Sequence, residues 1–206
     1  MENKIIDAVN HYYSEKIKQY GITPKGVDWN SVESQELRFK QLSKVIEEKN
    51  NFSVLDFGCG YGALVDYFTK NKNNFSYTGF DISAEMIGVA KKNHADFENT
   101  FWETELHENK TFDYTIASGI FNVRLETSDA EWKTYIKQTL AGIDYCSQKG
   151  FSFNMLTSYS DKEFMKAYLY YADPGYFFDY CKKHFSKYVT LLHDYPLYEF
   201  TIIVKK

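Results

Sequence analysis

Apolar side chains recur at helical spacing through the first part of the chain. Ile6, Val9, Tyr13 and Ile17 fall three and four residues apart, the stripe of an amphipathic helix, and the pattern stops near Gly21. Gly21 to Asn30 holds two glycines and Pro24, the composition of a loop. Asn30 and Glu33 then have capping-box spacing for a second helix, whose buried face is Phe39, Leu42, Val45 and Ile46. From residue 53 short β-like runs alternate with helical stretches, which marks βαβ units and a mostly parallel sheet. The runs predict strands over Ser53–Phe57, Ser76–Phe80, Asn99–Trp102, Phe112–Ala117, Gly150–Leu156, Tyr188–His193 and Glu199–Val204. Helices are predicted over Gly62–Lys70, Ala84–His94, Asp129–Tyr145, Lys162–Tyr170 and Pro174–Phe185. Ser128 with Glu131 has capping-box spacing, and Asp173 before Pro174 reads as an N-cap followed by proline at the first helical position. The last two strands are joined by too few residues for a crossover helix, so they pair as an antiparallel hairpin at one sheet edge.

Composition narrows the class of protein. A length of 206 residues allows one full domain at about 150 residues each, read here as a helical addition over 1–50 and a sheet-based core over 51–206. With 44% hydrophobic and 25% charged residues, global disorder is excluded. The balance of 24 basic against 28 acidic residues lacks the footprint of a nucleic-acid or anionic-membrane binder. The opening MENKIIDAVN has no signal-peptide pattern and no apolar run reaches the roughly 20 residues of a membrane span, so a cytoplasmic protein without a membrane partner is expected. The three cysteines have no C-x-x-C spacing, which argues against a disulfide framework or a structural zinc site. Aromatic residues make up 18% of the chain and suit both a core and a pocket for an amphipathic ligand.

The stretch Val54-Leu55-Asp56-Phe57-Gly58-Cys59-Gly60-Tyr61-Gly62 carries the chemistry. It is a buried-type strand running into a glycine cluster and then a helix start, where main chain can take positive φ and a ligand can approach it closely. Its spacing is Gly-x-Gly-x-Gly, and an acid precedes the turn. Asp56 would repel a pyrophosphate but can accept hydrogen bonds from an ammonium, directly or through water. The loop therefore suits an amino-acid-bearing nucleoside better than a dinucleotide. Nineteen residues past Gly62, Asp81 ends the second predicted strand, where an acid can take both ribose hydroxyls as donors.

With these two signals the sequence resembles the class I S-adenosylmethionine-dependent methyltransferases. Val54–Gly62 resembles their first motif, Gly79–Ser83 their acidic ribose-binding motif, and Phe112–Gly119 the strand ending beside the transferred methyl. The resemblance implies a Rossmann-like doubly wound α/β sheet of seven strands, order 3-2-1-4-5-7-6 with strand 7 antiparallel. It further implies S-adenosylmethionine as cofactor and S-adenosylhomocysteine as product. Gly58, Cys59 and Gly60 would lie against the methionine part, Asp81 and Ser83 at the ribose, Ile82 and Met86 beside the adenine, and Ser118 and Gly119 near the methyl. Glu103, or else Glu105, would replace the usual acid at the adenine edge, and Arg38 would reach the cofactor carboxylate with its fork.

On the acceptor side, Asn122 and Arg124 follow the fourth strand, where α/β sheets place ligands. His193 and His184 are candidate bases, having a pKa near neutrality. His11 with Tyr12 and Tyr13 would cover the cofactor if the first helix acts as a lid. The aromatic segment Tyr159, Tyr168, Tyr170, Tyr171, Tyr176, Phe177 and Phe178 divides between core and acceptor-pocket wall. Ala117-Ser118-Gly119 offers no carboxylate to ligate magnesium, so no metal is expected. Ser118–Glu126 and Tyr198–Lys206 resemble a bacterial subgroup in which some members belong to surface-polysaccharide or secondary-metabolite pathways. This implies a small polar acceptor, O-methylation of a sugar or phosphorylated metabolite, and a monomer or homodimer. Methylation of protein or RNA, a cofactor-binding regulatory module without turnover, and a nicotinamide-dependent oxidoreductase remain as alternatives.

Overall fold

A computed structural model describes residues 2–27, 31–71, 74–107 and 109–206. Two helices, α1 (Glu2–Tyr20) and α2 (Val32–Leu42), precede the first strand. The strands are β1 (Phe52–Phe57), β2 (Phe75–Phe80), β3 (Thr100–Glu103), β4 (Phe112–Ala117), β5 (Ser147–Leu156), β6 (Tyr188–Leu192) and β7 (Glu199–Lys205). Between them run α3 (Ala63–Asn71), α4 (Ala84–Asn93), α5 (Asp129–Cys146) and α6 (Pro174–His184). The strands form one sheet in the order β3-β2-β1-β4-β5-β7-β6, with β7 antiparallel to both of its neighbours. This is the expected doubly wound topology, with the predicted hairpin at its edge.

Alternation along the central strands sorts the two faces. Phe151, Phe153 and Met155 of β5 and Phe200, Ile202 and Val204 of β7 pack with Trp132, Ile136, Leu140 and Ile143 of α5 and Phe177 and Cys181 of α6. On the other face Val54, Tyr77, Tyr114 and Ile116 pack with Phe39 and Leu42 of α2 and Leu64, Val65 and Phe68 of α3. The residues of β5 and β7 turned toward α2 include Ser152, Asn154, Glu199 and Thr201, all polar and all buried. Ser152 Oγ donates to the Leu42 carbonyl at 2.8 Å, which anchors the end of α2 to the sheet.

Local signals decide where elements start. Ser128 and Glu131 form the capping box of α5, and Asp173 caps α6 with Pro174 in its first turn. The cap of α2 is Ser31, reciprocated by Ser34; Asn30, the residue expected there, lies outside the described residues. The predicted helix over Lys162–Tyr170 is not formed; only Lys162–Phe164 makes a short 3-10 turn. Its side chains supply no continuous buried stripe, and its backbone is tied to the loop after β4 instead. Arg124 N and Leu125 N both donate to the Tyr168 carbonyl, and Tyr170 N donates to the Asn122 carbonyl. All three cysteines are buried free thiols, and among the described residues no helix is long and apolar enough to cross a membrane. Asp173 accepts from Gly175 N at 2.8 Å and Tyr176 N at 3.2 Å. Asp173→Ala should therefore cost about 1 kcal/mol in urea unfolding, and an unchanged midpoint would show that the cap contributes nothing.

Candidate functional site

The glycine turn after β1 opens a cleft at the carboxyl ends of β1, β2 and β4. Gly58, Gly60 and Gly62 all have positive φ. At Gly58 (φ +81) a Cβ would stand 2.3 Å from Ile120 Cγ2, so only glycine fits between the turn and the segment after β4. Four N–H groups of the turn are bound inside the protein, that of Gly62 to the Cys59 carbonyl at 3.0 Å. Gly58 N and Cys59 N donate to the Phe80 carbonyl at 2.7 and 3.0 Å, and Gly60 N donates to Asp81 Oδ2 at 2.9 Å. The turn thus offers a ligand close access to main chain rather than the cluster of free N–H groups expected from a helix start.

Two carboxylates meet in this cleft. Asp56 is paired in register with Gly79, so Asp81 sits just beyond the end of the adjoining strand. Asp56 is almost fully buried, and the Tyr77 hydroxyl donates to its Oδ2 at 2.5 Å. Burial pushes the Asp56 carboxyl up to about 7, against the Tyr77 hydrogen bond, and the nearby Asp81 charge adds to the rise. Asp81 is raised too, through burial, although the N–H groups of Ser83 and Gly60 work the other way. Those two donors hold one oxygen each, fixing the carboxylate while leaving each oxygen a further lone pair.

The rest of the wall is Val9 and Tyr13 from α1, Val27, Gln35 and Phe39, Cys59 to Tyr61, Ile82 and Met86, Ser118 to Ile120, and Tyr135. The space, counted with the open solvent at its mouth, is about 880 Å³. Among the described residues, no lysine, arginine or histidine lines it. The buried Ser118 hydroxyl has no hydrogen-bond partner in the protein. One buried and one half-buried carboxylate with no local cation, an unsatisfied hydroxyl and a cradle that a Cβ would fill together fit a cationic ligand bearing hydroxyls.

Beyond Tyr13 and Val27, which border both spaces, lies a second chamber. Arg38 and Glu199 contribute to its wall with Asn122, Leu156, Lys166, Tyr168, Tyr171 and Tyr198.

Residues 54–141 match a family model described as a methyltransferase domain. Among solved structures, DhpI in complex with SAH aligns with a TM-score of 0.65 at 12% identity, covering 98% of this chain and 97% of that one. The N-methyltransferase NodS of Bradyrhizobium japonicum WM9, in complex with S-adenosyl-l-homocysteine, gives a TM-score of 0.65 at 12% identity, covering 95% and 97%. At such identity these two share the fold. A Mycobacterium tuberculosis (strain ATCC 25618 / H37Rv) protein, Rv1506c, named as a methyltransferase without a stated substrate, is 47% identical over 163 residues, 79% of this chain and 98% of its own length. The chain belongs to the class I S-adenosylmethionine-dependent methyltransferases.

Several residues expected at the cofactor of this methyltransferase lie elsewhere. Arg38 is buried against Glu199 in the second chamber, its Nε donating to both carboxylate oxygens at 2.8 and 2.9 Å and its Nη2 to Oε1. Ser83 does not line the cleft; its hydroxyl caps α4 and contacts Ser14 Oγ at 3.3 Å, while its N–H holds Asp81. Glu103 pairs with Lys110 at 2.5 Å, and neither it nor the exposed Glu105 reaches the cleft. Cys59 lines the cleft as expected, and burial drives its thiol pKa well up.

The histidine expectations are corrected as well. His193 is exposed beside Tyr159, His184 is exposed with its ring tilted against Tyr180 at 4.4 Å, and neither borders either chamber. His11 is exposed too; Val9 and Tyr13 are the α1 residues that reach the cleft. Asn122 does reach the second chamber, where its Oδ1 accepts from Leu156 N at 3.1 Å. Arg124 holds its loop through the carbonyls of Thr127 and Ala167. Of the aromatic segment, Tyr168 and Tyr171 face the second chamber while Tyr170 and Phe177 are core.

Tyr77, Gln35 and Tyr135 belong to the site and carried no motif in the sequence. Gly58→Ala should lose about 2 kcal/mol in thermal or urea unfolding through the positive φ and the Ile120 clash. The exposed helical Gly142, where a Cβ meets nothing, is the control and should hold or gain stability as alanine. Equal effects at the two positions would contradict the crowding described here.

Proposed function

We propose that this methyltransferase acts on a small polar molecule held in the second chamber, by O-methylation of a sugar or phosphorylated metabolite. The observation that carries the reading is a cleft with a buried and a half-buried carboxylate and no described cation, sharing Tyr13 and Val27 with a chamber walled by hydroxyl-bearing aromatics. When bound, S-adenosylmethionine supplies a methyl on an already activated leaving group. The chain's own task is then alignment and exclusion of water.

In this reading Asp56 accepts from the ammonium of the amino-acid end, and Asp81 takes the ribose hydroxyls on its two remaining lone pairs. Gly58 and Gly60 let that end approach the main chain, while Ile82 and Met86 pack against the adenine. Ser118 and Gly119 wall the side where the methyl leaves toward Tyr13. Aromatic rings with polar tips, as at Tyr168, Tyr171 and Tyr198, suit a ring with an apolar face and a hydroxylated rim. Lys166 adds a cation for a phosphate or carboxylate.

Two measurements test this. Incubation with S-adenosylmethionine and a panel of sugars, sugar phosphates and other hydroxylated metabolites should yield S-adenosylhomocysteine and a methylated small molecule by mass spectrometry. Label appearing only in protein or RNA, or no turnover with any small molecule, would overturn the substrate reading. Binding of S-adenosylhomocysteine should also depend on pH. Below about 7 the free Asp56 carboxyl is protonated and must lose its proton to take the ammonium. Affinity should therefore rise with pH, by at most about tenfold per unit, and level off above 7. Asp56→Asn should weaken binding by about 10- to 100-fold and abolish that slope; a retained slope would assign the titration to another group.

A further inference from the structure

One buried side chain touches both halves of the site. Asn154, fully buried in β5, points toward the α2 side of the sheet. Its Oδ1 accepts from Gly119 N at 2.8 Å, and its Nδ2 donates to Glu199 Oε2 at 2.5 Å. The orientation of the amide is forced, because an N–H can only donate and an ionised carboxylate can only accept. Gly119 (φ +74) is in the wall of the cofactor cleft, whereas Glu199 and the Arg38 it holds are in the wall of the second chamber. A continuous buried chain thus runs Arg38, Glu199, Asn154, Gly119.

Stability gives a poor reason for this chain. Well-packed apolar residues of similar volume commonly replace a buried ion pair without loss, and the opposite faces of β5 and β7 are packed in that apolar way. What a buried chain whose members each hydrogen-bond the next does provide is a single arrangement, since turning one member leaves the next unsatisfied. Resting on the two-chamber reading above, we propose that Asn154 is a positioning residue that couples the acceptor chamber to the methyl-donor cleft. It sets the main chain at Gly119 according to the state of the Arg38–Glu199 pair. Neither Asn154 nor Glu199 lines the cofactor cleft, so neither should matter to cofactor affinity unless the chain transmits.

The test uses S-adenosylhomocysteine as probe, with its affinity measured by calorimetry between about pH 6 and 8.5. Glu199→Gln presents an amide to an amide, so Asn154 must turn or lose a partner, and affinity should fall about tenfold. Asn154→Asp sets a second carboxyl against Glu199. The two share a proton at low pH and repel when both ionise, so affinity of this variant should fall as pH rises, the reverse of the wild-type trend. The double variant Asn154→Asp/Glu199→Gln moves the carboxylate one link along the chain at constant net charge and should restore the wild-type profile to within about threefold.

If Asn154→Asp fails to fold, Asn154→Ser replaces it; its hydroxyl is too short to bridge both partners, and affinity should again drop about tenfold. Folded variants with wild-type affinity and pH profile would overturn the coupling while leaving the cofactor assignment intact. Failure of the wild-type protein itself to bind the probe would overturn both.

Discussion

Two carboxylates, the buried Asp56 and the half-buried Asp81, stand at the ends of neighbouring parallel strands with no described cation beside them in the cleft. Burying an unpaired carboxylate is costly, and the Asp81 charge nearby raises the pKa of Asp56 further. The surroundings offset part of that cost locally. Tyr77, on the strand between them in sequence, donates to Asp56, and the turn itself donates to Asp81 through Gly60. The same bond from Gly60 fixes the glycine turn against β2, so the acid that the proposed reading assigns to the ribose is also a structural staple. A ligand carrying positive charge and hydroxyls would complete what the protein leaves partly satisfied.

Packing around the turn explains why small residues stand where they do. A Cβ at Gly79 would come within 2.6 Å of the Trp102 ring, and one at Gly62 would strike both Trp102 and His94. Trp102 therefore fills the space beneath the loop, with the His94 ring stacked on it at 5.3 Å and its Nε2 3.2 Å from Asp66 Oδ1. Above the cleft, α1 is fastened to α4 by the Ser14–Ser83 contact and the exposed Lys18–Glu85 pair, which brings Val9 and Tyr13 over the opening. Exposed contacts of this kind add little stability. The hold of the cover comes instead from apolar packing, Ile17 against Tyr61 and Met86 and Ile5 within the main core.

Much of this was legible in the sequence because local pattern and tertiary outcome agree. Strand runs from Val54, Phe112 and Glu199 each fill a buried strand, and the capping residues Ser128 and Asp173 stand where their helices begin. The two aspartates were readable because one ends the strand before the glycine turn and the other ends the next strand. The misses share a cause: the partner that decides each outcome is remote in sequence. Arg38 looked available for a carboxylate until Glu199, 161 residues away, proved to hold its fork. Lys162–Tyr170 had helical spacing, yet its main chain bonds the loop after β4. His184 and His193 sit at the ends of elements on the outer surface, outside both chambers. Asn154 and Glu199 did leave a trace, as polar residues on one face of strands whose other face is wholly apolar.

The most direct measurement of the central claim is a structure determined with S-adenosylhomocysteine bound. The account predicts the amino nitrogen within hydrogen-bond reach of Asp56, directly or through one water, and the ribose hydroxyls on Asp81 at about 2.7 Å. The sulfur should face Tyr13 and the second chamber. A product molecule whose amino-acid end lies away from Asp56, or one bound outside the cleft between the two aspartates, would contradict it.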